Sequence, residues 1–172
     1  MATDSLDLDI GVRVSAARHL ACLQHRGPYM GDVVLFEGLF ARLEDWVDSQ
    51  GLVGAQQDRV AVFHNDPELT PPDKLRMSVG LSVPEGTPMR DGFVALSVPA
   101  GTYAVATGRM HFARHAQAWW ILMGEWLPHS GWKPAAGCSF EVVNQAPADL
   151  DGMHHAELWV PVTAVQAPDA RR

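Results

Sequence analysis

The sequence predicts an α+β fold built as a tandem, pseudo-twofold repeat of strand, helix, strand, strand, with two helices covering an antiparallel sheet. Three observations predict it. A helix-like segment reaching Trp46, a stop at Gly51 and a strand leading to Asp66-Pro67 recur as Trp126, Gly131 and Ala146-Pro147, each 80 positions later. Each copy holds one amphipathic helical stretch and too few strands to enclose a core alone, so the two copies must pair. The segments between show the two-residue alternation of strands with one buried face.

The elements follow in order. Residues 10–24 are mostly extended, with Ile10, Val12 and Val14 alternating before the apolar run Leu20 to Leu23. Arg26-Gly27-Pro28-Tyr29 makes a turn, because proline fixes its own φ and disfavours helix in the residue before it. Asp32 is placed to cap a helix whose apolar face is Val33, Phe36, Phe40, Leu43 and Val47, and Gly51 suits its C-terminal end. Strands over 59–64 and 75–83 come next, the second with Leu75, Met77, Val79, Leu81 and Val83 on one face. Residues 84–92, with two glycines and two prolines, form a short joint between repeat halves at about 10–84 and 92–162. In the second half, 93–109 is extended with a turn at Pro99-Ala100-Gly101. A helix over about 112–127 carries Ala116, Trp119, Met123 and Trp126 on one face, and strands over 139–144 and 156–162 close the unit. The tail, 167–172, is expected to fray.

Composition bounds the function. The 172 residues, 47% hydrophobic, suit one domain over 1–172. The acidic start has no apolar core of a signal peptide, and no apolar run approaches the roughly 20 residues of a membrane span. Two cysteines, Cys22 and Cys138, make no disulfide scaffold, so a cytoplasmic protein with free thiols is expected. The formal charge is −7, with Lys74 and Lys133 the only lysines and the arginines scattered. Nucleic-acid binders carry a basic stripe to neutralise phosphates, so direct binding of nucleic acid is not expected.

One residue breaks the repeat. The strand Val60-Ala61-Val62-Phe63 is apolar, but its copy reads Phe140-Glu141-Val142-Val143, with an acid where the repeat puts Ala61. A carboxylate in an apolar strand is costly to bury unless something pairs with it. Alternation puts Glu141 and Val143 on one face and Phe140 and Val142 on the other. If the first face lines a groove between the repeats, Tyr29, Tyr103, Trp119, Trp120 and Trp159 are the aromatic residues placed to wall it. Such a site suits an aromatic or lipophilic cation, the rings giving area and cation–π attraction and the acid a countercharge. The alternative is a structural ion pair with Arg59 or Arg109 at a sheet edge.

The residues together resemble the GyrI-like family, the effector-binding domains of bacterial transcription activators that also occur alone. The likeness rests on His25-Arg26-Gly27-Pro28-Tyr29, Leu43 to Trp46, Asn65-Asp66-Pro67 and Val98-Pro99-Ala100-Gly101-Thr102-Tyr103. It continues through Trp126-Leu127 before Ser130-Gly131, Phe140-Glu141 before Pro147, and Leu158-Trp159-Val160-Pro161-Val162. The resemblance implies a pocket at the pseudo-dyad for hydrophobic, often cationic, small molecules, with Glu141 as polar anchor, serving sensing, sequestration or resistance. It implies no cofactor. No helix-turn-helix module accompanies the domain, so a stand-alone member is expected. Many relatives carry a tyrosine two residues after the acid, where this chain has Val143, and Gly108-Arg109-Met110 stands where a second Gly-Pro-Tyr turn would fall.

Two further functions follow from the same resemblance. Some GyrI-like proteins are credited with hydrolytic opening of cyclopropane rings in DNA-alkylating natural products, and burial makes Glu141 a candidate acid or base for such chemistry. Others modulate DNA gyrase through protein contact. The histidines give no metal centre: His111 and His115 are an i, i+4 pair without HExxH or a carboxylate tied to them, and read as helix-surface residues. His154 and His155, adjacent on a strand, point to opposite faces. Cys22 and Cys138 read as strand fillers, with no flanking base to activate them.

Overall fold

The computed structural model describes residues 5–52, 58–144 and 152–166. The extended N-terminal stretch is two strands, β1 (Asp9–Ser15) and β2 (Arg18–Arg26), followed by helix α1 (Val33–Ser49). The Asp32 carboxylate accepts from the Leu35 N–H at 3.0 Å, satisfying one of the free amides of the first turn. Phe36, Phe40, Leu43, Trp46 and Val47 are buried along the face that spacing predicts, while Val33 lies at its exposed start. Gly51, with φ +67°, ends the helix in the left-handed region that glycine adopts without strain.

Strands β3 (Arg59–Phe63), β4 (Arg76–Ser82) and β5 (Val94–Val98) complete the first part of the sheet. β6 (Gly101–His111) then leads into the second helical segment. That segment is not one regular helix. A 3-10 turn at Phe112–Arg114 opens it, α2 (His115–Trp120) follows, and π-helical backbone over Ile121–Trp126 passes into a 3-10 turn at Leu127–His129. Its buried residues are His115, Ala118, Leu122 and Leu127, with Trp119 and Trp126 half-buried beside them. Ala116 and Met123, assigned to the inner face by spacing, are exposed. Three strands remain: β7 (Trp132–Pro134), which periodicity did not predict, then β8 (Ser139–Val143) and the long β9 (Met153–Ala164). Gly108-Arg109-Met110 lies inside β6 and is strand, not turn.

All pairings are antiparallel, in the order β1-β6-β9-β8-β3-β4-β2-β5, with β7 added beside β9. The leading strands are exchanged: β1 pairs with β6 and β5 with β2. Only Ala16-Ala17 joins β1 to β2, a reach of about 11 Å, yet six strand spacings along a flat sheet would be about 29 Å. Pro99-Ala100 makes the same short join between β5 and β6. The sheet is therefore rolled. Its inner face holds Leu20, Cys22, Val60, Val62, Tyr103, Val105, Phe140, Val142 and Trp159. On the outer face α1 packs over Ala21, Leu23, Ala61, Met77, Val79 and Leu81, and the second helical segment over Ala104, Ala106, Leu158 and Val160.

Family-like turns acquire physical reasons. The Tyr103 hydroxyl donates to the Pro99 carbonyl at 2.7 Å, and the Asn65 side-chain carbonyl accepts from the Arg76 N–H at 2.7 Å. Ser130 donates to the Leu127 carbonyl and accepts from the Trp132 N–H, holding the reversal at Gly131. No described helix is long and apolar enough to cross a membrane. Ala146-Pro147 and the tail 167–172 lie outside the described residues.

Candidate functional site

Glu141 sits in the middle of β8, and its direct partner across the β3–β8 ladder is Ala61, the residue 80 positions before it. Phe140 and Val142 point inward into the roll, as alternation requires, so Glu141 faces outward between α1 and the second helical segment. It is only 7% exposed.

The carboxylate is paired, and not with an arginine. One oxygen, Oε1, accepts from the Trp119 indole N–H, and the other, Oε2, lies 3.1 Å from Nδ1 of His115. His115, itself 6% exposed, brings Nε2 to within 2.7 Å of Nε2 of His154 on β9. His115 and Trp119 are four residues apart on α2, so one helical face delivers both donors to one carboxylate. Arg59 instead donates from Nε to Glu44 of α1 at 2.8 Å, with Glu37 nearby.

A cluster of aromatic rings reaches this acid through Trp119 and the His115 ring. Tyr29 stacks on Phe63 with centroids 5.5 Å apart, and Phe63 meets Trp119 edge-on at 6.0 Å. Phe36 of α1 touches both Tyr29 and Phe112, and Phe112 lies 5.1 Å from the His115 ring. Burial raises the Tyr29 phenol above its ordinary value, and the negative charges of Glu141 and Asp66 add to the rise. Burial lowers His154, with the neighbouring His115 pushing it the same way. Both groups therefore rest neutral at neutral pH.

Of the residues the sequence assigned to the site, Glu141, Tyr29 and Trp119 are brought together. Val143 shares the face of Glu141, opposite Arg59 in the ladder. Tyr103 and Trp159 are not on this face: they pack against Phe140 inside the roll, Trp159 stacked on it at 5.4 Å. Arg18 covers the inner Trp159 ring at 5.0 Å. Trp120 is 61% exposed and lines a shallow surface hollow of about 510 Å³ with Leu6, Arg114 and Ile121. That hollow does not reach Glu141.

Sequence reasoning missed His115, placed on a helix surface, and His154, placed on a strand without a role, and the rings of Phe36, Phe63 and Phe112. The spacing of His111 and His115 was visible, but only tertiary packing supplies the carboxylate. It also missed a base beside Cys138: His64 Nδ1 lies 3.7 Å from the thiol, and His64 Nε2 lies 2.7 Å from the buried Ser78 hydroxyl. No group of three or more metal-ligating side chains occurs among the described residues.

The class so defined is an antiparallel α+β domain with two outer helical segments and a ring-walled acid between them. The chain belongs to the GyrI-like small molecule binding domain family, whose profile matches residues 9–163. The DNA gyrase inhibitor of Citrobacter koseri is 27% identical over 158 residues, spanning 90% of this chain and 98% of the relative. Among solved structures, the EcmrR C-terminal domain gives a TM-score of 0.73 at 11% identity, covering 92% of this chain and 99% of that one. A protein solved bound to tetraphenylphosphonium gives 0.61 at 10% identity, covering 90% and 94%. These two likenesses are of fold.

Proposed function

We propose that the protein binds hydrophobic, aromatic small molecules, cations among them, over Glu141 between α1 and the second helical segment, as a sensor or sequestering protein of the cytoplasm. The observation that carries this reading is a buried carboxylate bonded to Trp119, at the edge of a ring cluster that runs from Trp119 through Phe63 and Tyr29 to Phe36 and Phe112. Rings offer area and a negative face, and the acid offers a full charge in a weakly screened place. The Trp119 indole is bonded to the acid, so entry requires this side chain to move aside.

The two halves are related by a pseudo-twofold axis through the Ala61–Glu141 pair. In support, the strand order reads alike from both ends when β1, β2, β3 and β4 are matched with β5, β6, β8 and β9. A ligand on that axis touches both halves at once, and only one half supplies an acid.

A hydrolytic role of the same site has one observation in its favour, the Glu141–His115 pair, in which a carboxylate orients an imidazole beside a half-buried second histidine. Modulation of DNA gyrase has the name of the Citrobacter koseri relative behind it, and needs no contact with Glu141.

Titration with tetraphenylphosphonium, followed by tryptophan fluorescence, separates these readings. Wild-type protein is expected to bind with a change in Trp119 emission, and Glu141→Gln, which keeps the volume and removes the charge, to bind about tenfold or more weakly, a loss of about 1.4 kcal/mol. Equal binding by both proteins, or by neither, contradicts the proposal. Turnover of an electrophilic cyclopropane that vanishes in Glu141→Gln would favour the hydrolase, and gyrase inhibition surviving that change would favour the protein contact.

A further inference from the structure

Both oxygens of Glu141 are held by groups of this chain, and one of those groups belongs to a histidine pair. An ionised carboxylate can only accept, so the ring nitrogen facing Oε2, Nδ1 of His115, carries a proton. The other nitrogen of His115 faces Nε2 of His154 at 2.7 Å, a separation that places one proton between two lone-pair sites. Two arrangements satisfy this geometry. In one, His115 is an imidazolium that donates to a neutral His154 and cancels the charge of Glu141. In the other, which holds one proton fewer, His154 donates to a neutral His115 and the carboxylate keeps its charge uncompensated.

We infer that His115 sets the charge selectivity of the Glu141 site: a cationic ligand and the extra proton of the His115–His154 pair compete for one carboxylate, so cations take the deprotonated pair and neutral aromatic molecules the protonated one. This rests on the binding role proposed above. The groups facing the pair are Glu141 from β8, His111 from the end of β6 and, across the ring wall, Tyr29 with Asp66 beyond it. Glu141 attracts the proton, His111 opposes it, and the neutral Tyr29 phenol adds no charge. Burial disfavours a charge on the His154 ring.

Reciprocity makes the competition measurable, because whatever a proton costs the cation, the cation costs the proton. Tetraphenylphosphonium and its neutral relative triphenylphosphine oxide serve as probes at pH 8 and pH 5.5. Affinity for the phosphonium is expected to fall about fivefold or more at the lower pH, the small end of ordinary coupling, while affinity for the oxide does not fall. In His115→Gln, which retains a hydrogen-bond donor and cannot titrate, the phosphonium dependence is expected to disappear. Should that variant fail to fold, calorimetry of the wild type in two buffers of different ionisation enthalpy is expected to show proton release on phosphonium binding at pH 5.5. Equal phosphonium affinity at both pH values, absence of proton release, or a dependence that persists in His115→Gln overturns the inference. Failure of the phosphonium to bind at any pH overturns the binding role itself, and the inference with it.

Discussion

Glu141 was legible because it breaks a pattern: an acid stands where the repeat has alanine, in a strand otherwise apolar. Its partners were not legible, since His115 and His154 are 39 residues apart and meet only through the packing of α2 against β9. The histidines bring a pH dependence. Burial lowers His154 and His64 below the ordinary 6.5. The unfolded chain therefore binds more protons than the native one, and stability is present above that value and lost as pH falls through it. Denaturant midpoints are expected to fall between pH 7.5 and pH 5.5, and to fall less in His154→Asn; an equal fall in that variant would remove His154 from the account. The thiols differ in a way sequence reasoning missed. Cys22 is fully buried and burial pushes it up to about 12, whereas Cys138 is half-exposed beside His64. An aromatic disulfide reagent is expected to modify one thiol in the native protein, at Cys138, and a second only on unfolding.

Among the elements, α1 was the most readable, because its apolar residues recur every three or four positions and Asp32 stands at its start. Removing that cap by Asp32→Ala is expected to cost about 1 kcal/mol, read as a lowered urea midpoint with unchanged ligand affinity. The second helical segment was legible as helical but not in its inner face. The buried row His115, Ala118 and Leu122 keeps three- and four-residue steps, and π backbone then carries it five residues on to Leu127, so the row of Ala116, Trp119 and Met123 is one residue out of phase. The inner row begins at His115, a polar residue that an apolar count passes over. Alternation recovered β3, β4, β8 and β9 to within a few residues. It could not recover β7, whose three residues are too few to show a period.

For the molecule as a whole, the α+β class and the antiparallel sheet were readable from the order of periodic segments. The exchange of β1 and β5 was not, because strand partners are chosen by contacts distant in sequence. Rolling the sheet turns Tyr103 and Trp159 away from the acid and into the interior, which is why two of the aromatic residues assigned to the site serve the core instead. The charge of −7 adds a long-range attraction for cations that falls with salt. The central claim is a place: a ligand held over Glu141 between the two outer helical segments. A crystal structure with tetraphenylphosphonium tests it most directly. The phosphonium is expected within contact of the Glu141 carboxylate, among Tyr29, Phe63 and Phe112, with Trp119 moved off the acid. Occupancy of the outer hollow beside Trp120, with Trp119 and His115 still bonded to Glu141, would contradict it.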